Sequence, residues 1–141
     1  MILFINAVKN DVYLALVENP EGNSQKIIGK LHPAGDNIYR RDLLNLIENL
    51  LKTENRNITA LKGIIVINGP GSFTSIRIAL TTVNLIAHNL KIPIVGLANE
   101  TDKDNLLLIK NGLKLLKKQS NRKASYKIIY PFYNQQPNIT K

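Results

Sequence analysis

The chain has no cysteine and no tryptophan, one methionine and two histidines in 141 residues. Without cysteine there is no disulfide framework, no thiolate nucleophile and no thiolate zinc site, a composition suited to a reducing compartment. His32 and His88 have no HxxxH or HExxH spacing, so neither makes a metal site and both read as surface or packed histidines. No serine has a histidine and a carboxylate at a recognisable triad spacing. No apolar run reaches the roughly 18 residues that a membrane span needs. The start, Met1-Ile2-Leu3-Phe4, lacks the charged flank and small-residue cleavage site of a signal peptide. A cytoplasmic location is expected. With 44% hydrophobic and 21% charged residues, the chain is expected to form one domain that buries about two-thirds of its unfolded surface.

Acidic side chains are scarce in one region. Residues 1–102 hold ten Lys or Arg against nine Asp or Glu, whereas residues 103–141 hold nine basic side chains against Asp104 alone. The last 39 residues therefore carry +8 of the net +9. Such a run is a solvated face in the plainer reading and a polyanion site in the sharper one.

Apolar runs at 1–8 and 12–17, split by Lys9-Asn10-Asp11, predict a hairpin, and 26–32 a third strand. Leu43, Leu46, Ile47, Leu50 and Leu51 recur at helical spacing, predicting a helix over 37–52 with Asp36 or Asn37 as its cap. Ile64-Ile65-Val66-Ile67 suits a strand covered on both faces. Over 72–90, Phe73, Ile76, Ala79, Leu80, Val83, Ile86, Ala87 and Leu90 share one wide arc, and Ile78 and Leu85 form a separate apolar spot. Arg77 is the only fully charged residue of that helix, which is therefore expected to be covered on more than one side. A strand follows at 92–98, then a helix at 101–118 capped by Thr101 or Asp102, with Leu106, Ile109, Leu113 and Leu116 on one stripe. Lys110, Lys114, Lys117 and Lys118 gather on the opposite arc, and Gly112 in the interior costs about 1 kcal/mol against alanine. Residues 120–125 read as a linker, 126–132 as a last strand and 134–141 as a loose tail. This order makes an α/β fold of the ribonuclease H-like or actin-like half-domain type. It has a mixed sheet of about five strands, an antiparallel meander then parallel strands, with helices on its faces.

Enzymes of that architecture hold paired metals with carboxylates on the first and fourth strands, because two close cations need anionic bridging ligands. Here those places carry Asn6 and Asn68, and a neutral amide binds Mg²⁺ weakly. No catalytic residue, metal site or cofactor is assigned. The most distinctive stretch is the turn Gly69-Pro70-Gly71-Ser72-Phe73-Thr74, set between a buried strand and a helix N-terminus. Backbone N–H groups there suit an anion, but without the lysine of a P-loop the turn reads first as a tight connection with Ser72 or Thr74 as N-cap.

Residues 64–98, IIVINGPGSFTSIRIALTTVNLIAHNLKIPIVGLA, resemble the signature of the TsaB (YeaZ) proteins, roughly GPGSFTGLRIG followed by an alanine-rich helix and an IPVVG-type strand. ILFINAV at the start resembles that family's ILAIDTS strand, Leu43–Leu51 its first helix, and 130–137 its closing PLYLRPP-like segment. The resemblance implies an actin-like, ATPase-derived fold. It also implies a non-catalytic partner that docks through its first two helices onto the catalytic subunit TsaD, with the ATPase TsaE joining them, to make threonylcarbamoyladenosine beside the anticodon of transfer RNA. Departures are Asn6-Ala7-Val8 for Asp-Thr-Ser, Ser75 and Ala79 for two signature glycines, and a second subdomain nearly absent, as in a shortened form. Residues 1–101 are then the TsaB-like core, and 102–141 complete the same domain. The expected partner interface is Leu43, Leu46, Ile47 and Leu50 on one helix with Ile76, Arg77, Ala79, Leu80, Val83 and Ala87 on the next, the small residues permitting close approach. The same surface in the isolated chain would serve a homodimer. The alternatives are an RNA-binding module working through Lys110, Lys114, Lys117 and Lys118, and a weak nucleotide hydrolase using the Gly69–Thr74 turn.

Overall fold

The computed structural model describes residues 1–8, 12–18, 26–31, 43–99, 104–120 and 128–131. Five strands form one sheet: β1 (Ile2–Asn6), β2 (Tyr13–Glu18), β3 (Lys26–Leu31), β4 (Gly63–Gly69) and β5 (Ile94–Ala98). Their spatial order is β3-β2-β1-β4-β5. β1 pairs antiparallel with β2 and β2 with β3, whereas β1 pairs parallel with β4 and β4 with β5. The three helices are α1 (Leu43–Thr53), α2 (Phe73–Leu90) and α3 (Asn105–Ser120), and a 3₁₀ turn at Ile58–Ala60 leads into β4. The expected mixed sheet, meander first and parallel strands after, is the observed one.

The apolar runs follow from coverage of both sheet faces. Pairing sets Ile2 beside Gly63 and Phe4 beside Ile65, so these residues share a face with Asn6. α3 lies on that face: a Cβ on Gly112 would stand 2.5 Å from Ile65, one on Gly63 3.4 Å from Leu116, and Asn6 bonds Asn105. The other face carries Leu3, Ile5, Leu16 and Gly29, and there the side chain of Glu54, just past α1, lies over Gly29. α2 packs beside α1 and over β4 on that same side. The core between the layers includes fully buried Phe4, Ile5, Leu14, Ile47, Ile64, Ile65 and Ile76, with Phe4 meeting Tyr13 edge to face at 6.0 Å.

Helix ends largely follow their capping chemistry. Ser72 caps α2, its side chain accepting from the Ser75 N–H, and Lys91 ends it in the left-handed conformation (φ 55°) just before Pro93. α1 is seen from Leu43 to Thr53, and residues 37–42 of the expected helix lie outside the described residues, as do the hairpin turn 9–11 and the linker 121–125. The cap of α3 corrects the expectation. Asp104 accepts from the Leu107 N–H and the helix runs from Asn105 to Ser120, while the expected caps Thr101 and Asp102 lie outside the described residues. Its buried stripe is also shifted, because Leu106 is exposed and Leu108 takes the sheet-facing position with Ile109, Leu113 and Leu116.

The expected last strand is absent over 128–131, the part of it that is described. Those residues are held by side-chain amides instead of a strand ladder. The Asn84 amide donates to the Ile129 carbonyl at 2.9 Å and its oxygen accepts the Ile129 N–H at 3.0 Å. Asn68 donates to the Tyr130 carbonyl at 3.0 Å. Asn84 thereby satisfies both main-chain groups of one residue, as a neighbouring strand would. Asn84→Ala is expected to abolish hydrogen-exchange protection at the Ile129 amide and to cost about 1–2 kcal/mol, at about 1 kcal/mol per bond lost. Unchanged protection at Ile129 in that variant would show that the segment is held by something else.

Candidate functional site

The Gly69–Thr74 turn joins the end of β4 to α2 and is held from both sides. The Ser72 N–H donates to the Val8 carbonyl at 2.9 Å, the Asn99 N–H to the Gly69 carbonyl at 2.7 Å, and the Asn99 amide to the Pro70 carbonyl at 3.3 Å. Gly69 has φ 122° and the Gly69–Pro70 peptide is cis. Gly71 sits where a Cβ would come 2.4 Å from the Val8 carbonyl oxygen, so only glycine lets the turn close on the end of β1. Two N–H groups that an incoming anion would use are already spent: Ser72 on Val8 and Ser75 on the Ser72 hydroxyl. Phe73 and Thr74 are exposed at the mouth of the turn. Ser75, where the TsaB signature has glycine, is buried with its hydroxyl unpartnered among the described residues, beside a cavity of about 10 Å³ lined by Ala7, Val12, Leu43 and Ile78.

Asn6 and Asn68, at the places where acidic ligands would be required, are both hydrogen-bond donors in structural ties. Asn6 donates to the Asn105 side chain of α3 at 2.8 Å, and Asn68 to the Tyr130 carbonyl. An ionised carboxylate at 68 could not make the second of these bonds, since it only accepts and the Tyr130 carbonyl has no proton to give. Among the described residues no three His, Asp or Glu side chains come together as a metal group, and His88 is exposed on α2. Tyr13, opposite Asn6 across the hairpin, has its hydroxyl pKa pushed up by burial and then by the charge of Asp104.

The residues expected at a partner interface fall into two groups. Leu43, Leu46, Ile47, Leu50, Ile76, Ala79, Leu80, Val83 and Ala87 are all buried within the chain itself. Their arc is given to the chain's own core, between the two helices and the sheet. Arg77 alone of that set is exposed. What the two helices present outward is different: Leu44 of α1 is 45% exposed and Leu85 of α2 59% exposed, with Ile78 half-buried one helical repeat before Leu85. Ile78 and Leu85 are the separate apolar spot legible in the sequence, and Leu44 is exposed on the neighbouring helix. Phe73 is also exposed, at the start of α2.

On the opposite face of the sheet, Lys110, Lys114, Lys117 and Lys118 are all exposed on α3. Beside its first turns runs a groove of about 410 Å³ lined by Val17, Ile27, Leu106, Leu107 and Ile109, with Asp104 and Lys110 at its rim. Sequence reading missed this groove, because it depends on α3 leaving part of β2 and β3 uncovered.

Comparison with known proteins agrees with this architecture. The family model described as TsaD, tRNA N6-adenosine threonylcarbamoyltransferase, matches residues 36–101. Among solved structures, YeaZ from Pseudomonas aeruginosa superposes with TM-score 0.59 at 21% identity, covering 70% of this chain and 43% of that one. A second structure, an uncharacterized protein with similarity to peptidase YEAZ from Pseudomonas aeruginosa, gives the same TM-score and coverage at 23% identity. No curated protein matches the chain by sequence. The shared part spans less than half the length of either solved protein. The chain therefore has the fold of these YeaZ structures over the part they cover, with the mixed five-stranded sheet expected from its sequence.

Proposed function

We propose that the chain is a non-catalytic scaffold subunit in the formation of N6-threonylcarbamoyladenosine on transfer RNA, and that it docks onto a TsaD-like catalytic subunit. The observation that carries this reading is the exposure of large apolar side chains on two adjacent helices of a YeaZ-type half-domain: Leu44 on α1 and Leu85 on α2, with Ile78 half-buried and Arg77 exposed on α2. Large apolar side chains held outward on rigid helices are the usual anchors of helix-on-helix docking. The buried arc of Ile76, Ala79, Leu80, Val83 and Ala87 supports the interface from beneath by fixing α2 on the sheet. A scaffold role, in place of catalysis, is favoured by Asn6 and Asn68, whose amides tie down α3 and residue 130. A TsaE-like ATPase would join the assembly, whose place is the cytoplasm. Among the described residues no helix is long and apolar enough to cross a membrane.

The test is co-elution of the purified chain with a TsaD-like subunit on size exclusion with light scattering. Wild type is expected to form a heterodimer, and Leu85→Glu to weaken it by at least tenfold, because the carboxylate would be desolvated without a partner. A wild-type chain that elutes only with itself, or a Leu85→Glu variant that binds as tightly as wild type, would overturn the proposal.

A further inference from the structure

We infer that α3 carries a second, independent surface, a binding face for the phosphate backbone of a folded nucleic acid. Lys110, Lys114 and Lys118 stand at intervals of four residues on its outward side, so their positions advance about 6 Å at a time along one slowly turning line. Lys117 lies on the same arc and is exposed too. The helix sequence, NLLLIKNGLKLLKKQS, contains no acidic residue. No carboxylate on it can therefore pair with these lysines at the usual i,i+4 spacing. Among the described residues, Lys110, Lys114 and Lys118 have no ion-pair partner, and the one acidic neighbour in sequence, Asp104, is engaged as the N-cap. A regular line of like charges raises the local potential and is stabilised by a ligand with a regular line of opposite charges.

The geometry favours a nucleic acid over a membrane surface. An interfacial helix inserts its apolar side into the lipid, but the apolar side of α3 (Leu108, Ile109, Leu113 and Leu116) is buried against the sheet. The exposed leucines do not replace it. Leu106 and Leu115 fall on opposite edges of the outward arc, and Leu107 stands between lysines. α3 also covers the sheet face opposite to α1 and α2. An anionic backbone on α3 and a protein on the other two helices would therefore not compete. The inference rests on the charge and placement of α3 and does not require the docking reading.

The test uses the full chain alone, with a transfer RNA transcript, a DNA duplex of similar length and vesicles of phosphatidylcholine with phosphatidylserine as probes. Wild type is expected to bind both nucleic acids with affinity that falls steeply with salt. In a Lys110→Gln, Lys114→Gln, Lys118→Gln variant the slope of log affinity against log salt should shrink by about two to three units, with affinity at low salt down by at least about tenfold. A control that removes the same charge elsewhere, Lys52→Gln, Lys62→Gln, Lys91→Gln, should leave the slope within about one unit of wild type. Little sequence preference is expected, because backbone contacts position without specifying. Preference for the RNA over the duplex would name the source of the phosphates without changing the site. Loss in the control equal to that in the α3 variant would reduce the effect to bulk charge and overturn the inference. So would vesicle binding without nucleic-acid binding, or no binding at all. If the triple variant fails to melt cooperatively, Lys114→Glu alone gives the same reading from one exposed position.

Discussion

Val83→Glu is expected to leave the chain without a cooperative thermal transition, whereas Leu85→Glu two residues away melts close to wild type. Val83 has no exposed surface and Leu85 is 59% exposed, so the two substitutions place the same carboxylate in opposite environments on one helix. Burying an unpaired charge costs several kcal/mol even after relaxation, and the loss of apolar burial adds about 1.5–3 kcal/mol. Together these approach the whole stability of a small domain, about 5–15 kcal/mol. On the exposed side a substitution stays within about 0.5 kcal/mol. Circular dichroism melts of both variants check this directly. The pair also separates folding from docking, because only Leu85→Glu reports on a partner interface. Should Val83→Glu melt within a few degrees of wild type, the packing of α2 on β4 is not what holds this fold.

Gly112→Ala is expected to destabilise the protein by about 1–3 kcal/mol, the range for overpacking a filled site. Helix propensity alone points the other way, since alanine gains about 1 kcal/mol over glycine inside a helix. Packing wins because a Cβ at 112 would lie 2.5, 2.7 and 2.9 Å from three side-chain atoms of Ile65. Ile65 is fully buried in the central layer. The coupling is testable. In an Ile65→Ala background, where those three atoms are gone, the penalty for Gly112→Ala should vanish or reverse, a double-mutant coupling of about 1–3 kcal/mol. Urea unfolding of the four proteins measures it. Additive effects would show that α3 reaches the sheet elsewhere.

Much of the architecture was legible before any coordinates. Apolar runs at 1–8 and 12–17 mark a hairpin and the run at 64–67 a strand covered on both faces, and the structure pairs the first two antiparallel and buries the third between its helices. Ser72 and Thr74 were both legible as N-cap candidates for α2, hydroxyls ahead of an apolar helical arc, and Ser72 is the one used. α3 was less legible at its start. Asp104 is the cap, and the buried stripe takes Leu108 in place of Leu106, because the rotation of a helix on a sheet is set by packing and not by its own periodicity. The segment at 128–131 has the apolar character of a strand, yet its main chain is satisfied by the Asn84 and Asn68 amides. Nothing in a local pattern announces that a helix asparagine will stand in for a strand.

By itself the sequence determined the type and order of the five strands and three helices, the parallel and antiparallel character of the sheet and the excess of positive charge after residue 102. These depend on local periodicity, capping and composition, which are written along the chain. Tertiary structure alone decided what each surface is used for. The wide apolar arc of α2 is spent on its own sheet, so the apolar side chains left outward on the two helices are Leu44 and Leu85, with Ile78 half-buried. Asn6 and Asn68 became ties to α3 and to Tyr130. The glycine at 112, a weakness by helix propensity, became the point where α3 meets Ile65. Periodicity shows which residues share a face, but what covers that face depends on contacts between residues distant in sequence.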